Sequence, residues 1–308
     1  MSAPAILHLV AALFLAPLLL GVVQKTKARF AGRRGPPVLQ PWYDVVKLFR
    51  KGAVYSATTS RVFRLGPCVG LAGVMVALLV APWGGGRAAC AFEGDLLLFA
   101  YALAAARFAT ILAALDTGSA FEGMGASREA AFSALAEPAL LVGLLALARA
   151  AGSLSLSEIF HVLTPGRLAA SGGVAVLLVA AAFGIVFLAE NARIPVDDPA
   201  THLELTMIHE VMVLDHSGPD FGLIQYAAAL KFWVLGTLVA GFFFPARENA
   251  WLALGATVAG VFVLAVAVGV VESVMARLRL SKVPHLLAGA LALSVLALVL
   301  SAFSRGNA

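Results

Sequence analysis

Seven carboxylates and three imidazoles crowd the stretch Glu190 to Asp220, ENARIPVDDPATHLELTMIHEVMVLDHSGPD. They are Glu190, Asp197, Asp198, Glu204, Glu210, Asp215 and Asp220, with His202, His209 and His216. That is seven of the chain's 17 acidic residues and three of its six histidines, between runs of Ala, Val, Leu, Phe and Gly. Metal binding on a helix calls for ligands at i, i+3 or i, i+4. Here Thr206 follows His202 at i+4, Val213 follows His209, and His209 and Glu210 are neighbours that splay apart. No metal site is expected, and no nucleophile–base arrangement is better supported. Proton transfer suits the set, because carboxylates and histidines held close together titrate near neutral pH. A hydrated acidic loop is the plain alternative.

Two more ionisable groups, Arg107 and Glu137, lie inside apolar runs. What must position all of these groups is a membrane scaffold. The chain has 308 residues, 61% hydrophobic and only 13% charged, against roughly 25% charged in a soluble domain. Several apolar runs reach the length that crosses a hydrocarbon core of about 30 Å. The fold class is therefore all-α, a single polytopic membrane domain over 1–308. Eight spans are expected, near Pro4–Val23, Gly66–Trp83, Asp95–Leu115, Ala130–Arg149, Val174–Ala189, Gln225–Pro245, Trp251–Val271 and Val283–Phe303. Trp83, Trp233 and Trp251 fall near span ends, where interfacial aromatics gather.

The loops alternate in charge. One side receives 15 of the 22 basic residues, which makes it cytoplasmic and puts both termini outside. Cytoplasmic loops then fall at about 24–65, 116–129, 190–224 and 272–282. Met1 to Val23 has no basic residue, so a cleavable signal peptide is not expected. Cys68 and Cys90 sit near opposite ends of one span, about 33 Å apart along a helix, too far for a disulfide. Two cysteines do not hold a four-cysteine iron–sulfur cluster either.

Arg107 and Glu137 lie on antiparallel spans, each roughly 10–12 Å below the cytoplasmic surface, so they can pair. A buried ion of this kind costs about 2.5–3.5 kcal/mol or more in lipid and therefore faces protein or water. Glu137 reads as a relay carboxylate or as half of a static pair. Glu190 is a second relay candidate. Glu272, at the end of span seven, is a third, unless simply solvated. Arg107, Glu204, Glu210 and His209 complete the ion-relay set.

In the first loop, RRGPPVLQP (Arg33 to Pro41) is extended or turning. WYDVVKLFRK follows as a short amphipathic helix, with Trp42, Val45, Val46 and Phe49 on one face. It reads as a solvated loop, or as a docking surface for a soluble partner or anionic lipid. DTGSAFEGMGASRE (Asp116 to Glu129) reads as a flexible glycine-rich turn, with Ser127 opening the next helix. In the acidic stretch Pro195 and Pro199 interrupt the chain, Ala200 to Leu214 is expected to be helical, and Gly218-Pro219 ends that helix.

RRGPPVLQPWYDVVKLFRK, GSAFEGMGASRE and the Glu190–Asp220 stretch together resemble the subunit 1 family of respiratory NADH dehydrogenase (complex I) and its hydrogenase relatives. The last stretch is similar to the version in group 4 [NiFe] hydrogenases, including formate hydrogenlyase and energy-converting hydrogenases. Quinone-reducing relatives carry a loop resembling ETNRxPFDLPExESEL. Glu190, Arg193, Pro195, Asp197, Pro199, Glu204 and Leu205 keep that pattern, but Ala200 and His202 stand where glutamates are usual. The step from Arg128 to Glu137 also resembles the family's pattern. The resemblance implies a membrane subunit without its own cofactor and non-catalytic alone. It would anchor a small iron–sulfur subunit and a large [NiFe] subunit, which carry the [4Fe-4S] clusters and the [NiFe] centre. It would lie beside antiporter-like membrane subunits in a prokaryotic inner membrane and couple electron transfer to H⁺ or Na⁺ movement. Docking would fall to Arg33, Arg34, Asp44, Lys47, Arg128, Arg193, Asp197, Asp198, Asp215 and His216. A quinone-reducing subunit and a free-standing secondary transporter are the alternatives. The transporter would need internal repeats and interrupted helices in matching positions, and neither is seen.

Overall fold

The computed structural model describes residues 2–162, 173–198, 207–243 and 249–304. Glu204, His202 and the first half of the expected Ala200–Leu214 helix lie outside the described residues. Eight helices are long and apolar enough to cross a membrane. They are α1 (Ala3–Phe30), α3 (Arg61–Val80), α4 (Asp95–Asp116), α5 (Ala120–Ala151), α7 (Gly173–Glu190), α8 (Gly218–Phe243), α9 (Ala250–Val274) and α10 (Val283–Ser304). Two short helices lie between them, α2 (Gln40–Phe49) and α6 (Leu156–Val162).

α8 is the hub. Of its most apolar window 78% is buried inside the chain, against 28–44% for the other spans. α1, α3, α7 and α9 pack around it, and α4, α5 and α10 complete the bundle. Small residues set the tightest contact. Gly66 and Gly73 of α3 face Ala113, Ala102 and Ala106 of α4, and a Cβ on Gly73 would lie 2.6 Å from the Ala102 carbonyl oxygen. Association in lipid depends on such close approach, since apolarity alone does not pull helices together there.

Pro17, inside α1, has no N–H for the Leu13 carbonyl. The hydroxyl of Tyr226 donates to that oxygen at 2.9 Å instead. The indole of Trp42 donates to the neighbouring Phe14 carbonyl at 2.9 Å, which ties α2 to α1. At the far end from the basic loops, Asp95 accepts the Leu156 N–H at 2.6 Å and the Ser155 hydroxyl at 3.1 Å, clasping the start of α6 to α4.

Several sequence expectations change. α5 starts at Ala120, so Ala120 to Glu129 is helix rather than a flexible turn, and Ser127 lies inside it. Gly125 serves packing: a Cβ there would lie 2.3 Å from a Val211 methyl, while Gly118 stays in the turn before the helix at φ +70. Gly218 and Pro219 open α8 instead of ending a helix, and Pro in a first turn gives up an N–H that has no helical partner. Of the expected helix, the described part, Met207 to Leu214, forms only a 3-10 turn at Glu210–Val213. Trp83 lies just past the end of α3 and Trp233 in the middle of α8, and neither faces lipid. Both are buried, and the Trp233 indole donates to His8 Nε2 at 3.2 Å. Trp251 is exposed, as an interfacial residue should be.

Candidate functional site

Four spans bring their charges together at the basic end of the bundle. Arg107 projects from α4, Glu129 and Glu137 from α5, Glu190 from the last residue of α7 and Lys231 from α8. The guanidinium of Arg107 pairs with Glu137 through Nη1 and with Glu190 through Nη2. Its Nε lies 3.3 Å from Glu129 Oε1. Lys231 Nζ closes the other side of Glu190 at 2.8 Å. One arginine thus holds three carboxylates, and one carboxylate sits between two cations. Two cations against three carboxylates leave one negative charge without a full countercharge. The Arg107–Glu137 pair read from the sequence is present, within a larger network.

Local backbone explains why Glu190 sits there. α7 closes with Arg193 N–H to the Leu188 carbonyl at 2.8 Å and Ala192 N–H to the Ala189 carbonyl at 3.1 Å. That is a Schellman ending, a place that usually calls for glycine. Ala192 fills it with φ +50. The turn leaves Glu190 on the last helical residue, facing Arg107, and sends Arg193 toward α9. The negative end of the α7 dipole also faces the two cations.

Beside the network runs a second one. Glu272 of α9 is buried, with Lys27 at 2.8 Å and Arg193 at 3.5 Å, so it is an ion-paired core residue and not a solvated one. Asp197 is buried too. It accepts the N–H groups of Ile208 at 3.2 Å and His209 at 3.1 Å and pairs with Arg277 at 2.9 Å, which folds the loop's two described halves together. Arg128 donates to the Met207 carbonyl at 2.8 Å.

His209 stands between two hollows. A cavity of about 110 Å³ is lined by Arg107, Glu129, Glu190, Asn191, His209 and Lys231, with apolar residues of α3 and α8. A larger chamber of about 310 Å³ lies between α1, α2 and α8, with His209, Glu210, Asp44, Arg193 and Glu272 in its wall. Burial pulls the His209 imidazole down to about 4, and nearby Lys231 adds to the effect, so it is neutral at pH 7.

A third cluster clamps the loop from the α3 side. His216 is buried and stacks on Phe63 with ring centroids 3.9 Å apart. Burial lowers its affinity for a proton, while Asp220 and Asp215 oppose this. Glu122 accepts the Asp215 N–H at 3.0 Å, and Ser217 Oγ accepts the Val54 N–H at 3.0 Å.

Among the expected docking residues, Arg33, Arg34, Lys47 and Asp215 are exposed. Asp197 and His216 are buried, Asp44 faces the chamber, and Arg128 and Arg193 reach inward. Asp198 is partly buried next to Asp197 and donates its N–H to it at 2.9 Å. Sequence reasoning does not assign Glu129 and Lys231 to the relay. The signal is there: Glu129 is eight residues before Glu137, on the same side of a helix, and Lys231 is the lone charge within its apolar run. Among the described residues no group of three His, Cys, Asp or Glu is placed to hold a metal ion.

Residues 3–302 match the family model described as NADH dehydrogenase. The chain belongs to the NADH dehydrogenase family. Within it, formate hydrogenlyase subunit 4 of Escherichia coli (strain K12) is 34% identical over 88% of this chain and 89% of its own length. Hydrogenase-4 component C of the same organism is 32% identical, covering 89% of this chain and 87% of that protein. An NADH-quinone oxidoreductase subunit of Verminephrobacter eiseniae (strain EF01-2) is 30% identical over 68% of this chain and 59% of its own. A chain in the solved structure of the membrane-bound sulfane sulfur reductase, an archaeal respiratory membrane complex, has the same fold. Its TM-score is 0.82 at 21% identity, covering 97% of this chain and 98% of that one. This family member is therefore a multi-pass membrane protein whose relatives are subunits of multisubunit complexes.

Proposed function

We propose that this chain is the membrane subunit of a group 4 [NiFe] hydrogenase or formate hydrogenlyase-type complex. It anchors the iron–sulfur and [NiFe] subunits, which carry the redox centres, and couples their electron transfer to H⁺ or Na⁺ movement. The observation that carries this reading is the four-helix charge network beside the described loop residues 190–198 and 207–217, in a chain similar to formate hydrogenlyase subunit 4 over most of both lengths.

The network has two ends. One is the loop at the basic end, which by charge faces the cytoplasm, with exposed Arg33, Arg34 and Asp215 offering a docking face. The other is Glu137, whose side chain is 39% exposed on the outer wall of the bundle between α4 and α5. A carboxylate open to the side of a span is costly in lipid, so a neighbouring membrane subunit covers it. A proton or charge displacement started at the loop passes by way of His209, Glu190, Arg107 and Glu137 toward that neighbour. Glu137→Gln and Glu190→Gln in the purified complex, reconstituted in vesicles, are expected to leave the subunits assembled and to slow turnover or uncouple it from ion movement. Normal hydrogen turnover with normal ion movement in both variants would count against the reading.

One observation supports a second reading. The chamber of about 310 Å³ between α1, α2 and α8, with both apolar and charged residues in its wall, has room for a quinone head group. Reduction of a soluble quinone by the complex, with no hydrogen turnover, would favour that alternative.

A further inference from the structure

The segment between α1 and α3 turns a cationic and apolar face outward that neither charge network uses. After Phe30 the chain doubles back along α1. Gly21 lies so close to Val38 that a Cβ there would be 2.0 Å from the Val38 carbonyl oxygen. Farther along, Trp42 reaches the Phe14 carbonyl, and its ring lies 5.9 Å from that of Tyr226. Phe14 is about 24 Å back along α1 from Phe30, well inside a span. The other end of α2, at Leu48 and Phe49, meets Gly222, one turn nearer the basic end of α8 than Tyr226. α2 therefore lies inclined within the edge of the bilayer rather than above it.

Its outer side is apolar. Leu39 just before α2 and Tyr43 and Val46 on it are exposed, and Phe14 is exposed on the neighbouring face of α1. Cations flank this row: Arg33 and Arg34 before the helix, and Lys47, Arg50 and Lys51 at its end, all exposed. Among the described residues none of the five has an ion-pair partner. Asp44, the acidic residue of this segment, accepts the Gln40 amide at 2.9 Å and lines the chamber instead. A water-soluble acidic partner would match the charges but not an apolar row at hydrocarbon depth. A neutral lipid would match the row but not the charges.

We propose that the outer face of α2 binds an acidic phospholipid, with its acyl chains along Tyr43, Val46 and Phe14 and its phosphate held by Lys47, Arg50 and Lys51. A short chain of apolar groups under a cluster of cations is the pattern by which interfacial helices select anionic lipid. The lipid then braces α2 and, through Asp44 and Val45, the wall of the larger chamber.

The test uses the intact complex in nanodiscs of phosphatidylcholine containing a minor fraction of phosphatidylglycerol, with retained lipid counted by native mass spectrometry. The wild type is expected to hold phosphatidylglycerol above its bulk fraction. Each cation removed should lower that enrichment by about fivefold, so Lys47→Gln with Arg50→Gln and Lys51→Gln returns it to the bulk fraction. Lys47→Arg with Lys51→Arg should keep it. A wild-type complex with phosphatidylglycerol at the bulk fraction overturns the proposal, whether or not the glutamine variant assembles. So does unchanged enrichment in the glutamine variant. If that variant sheds the water-soluble subunits while its lipid is unchanged, the face is a protein-docking surface and the lipid assignment fails.

Discussion

Replacing Arg107 by methionine tests whether one side chain holds the site together. The guanidinium is 6% exposed and meets Glu190, 5% exposed, as well as Glu129 and Glu137. Without it, Lys231 alone faces three carboxylates. Removing one partner of a buried ion pair costs about 3–5 kcal/mol, because the other charge is stranded. Most of this falls on Glu190 and Glu129, since solvent or a neighbour screens the half-open Glu137. Adding Glu190→Gln to Arg107→Met removes the most deeply stranded charge and restores the original one-charge imbalance. The double variant should then regain about 1–3 kcal/mol relative to Arg107→Met. Thermal unfolding in detergent is the assay, read by tryptophan fluorescence, for which buried Trp233 is a reporter. If Arg107→Met unfolds within about 0.5 kcal/mol of wild type, the level of an ordinary surface change, the network is not what joins the four spans. If the two substitutions simply add, Glu190 is not the group that Arg107 compensates.

Two further outcomes follow from the loop. His209 lies at about 4 when folded against 6.5 when free. Its neutral form is therefore the folded form, and the stability it contributes is full above pH 6.5 and falls as pH drops toward 4. The loss by pH 4 is on the order of 3 kcal/mol. Unfolding midpoints measured across this window should decline for wild type and stay flatter for His209→Gln; parallel curves would refute it. Ala192 occupies the left-handed position that ends α7, so Ala192→Gly should raise stability by up to about 1 kcal/mol. A lower unfolding temperature would show that the alanine methyl is needed where it sits.

The spans were legible because the bilayer imposes a length and an apolarity that loops do not share. α2 was legible from Trp42, Val45 and Phe49, and the Arg107–Glu137 pair from depth counting on antiparallel helices. The start of α5 was not. Gly118, Gly123 and Gly125 signal a turn when neighbours are unknown; Gly118 does lie in the turn, but the other two sit in the helix, and at Gly125 the 208–212 segment presses against it. The same ambiguity hid Trp233, whose burial depends on the surrounding helices rather than on its distance from a span end. Asp197 and His216 looked like surface groups because they lie in a polar loop. Their burial comes from partners distant in sequence, Arg277 and Phe63.

The central position of α8 also bears on how the protein is made. It is the least apolar of the eight spans and carries Lys231, yet it is the most enclosed. Alone in a bilayer it would be the poorest of the eight at staying inserted. It is the sixth span in the chain, and α1, α3, α4, α5 and α7 are synthesised before it. Glu190 is thus already waiting when Lys231 reaches the membrane, and the ion pair that serves the finished site also serves as the latch for its own insertion. α9 then packs against a helix that has found its place, and α10 closes the bundle against α5 and α7.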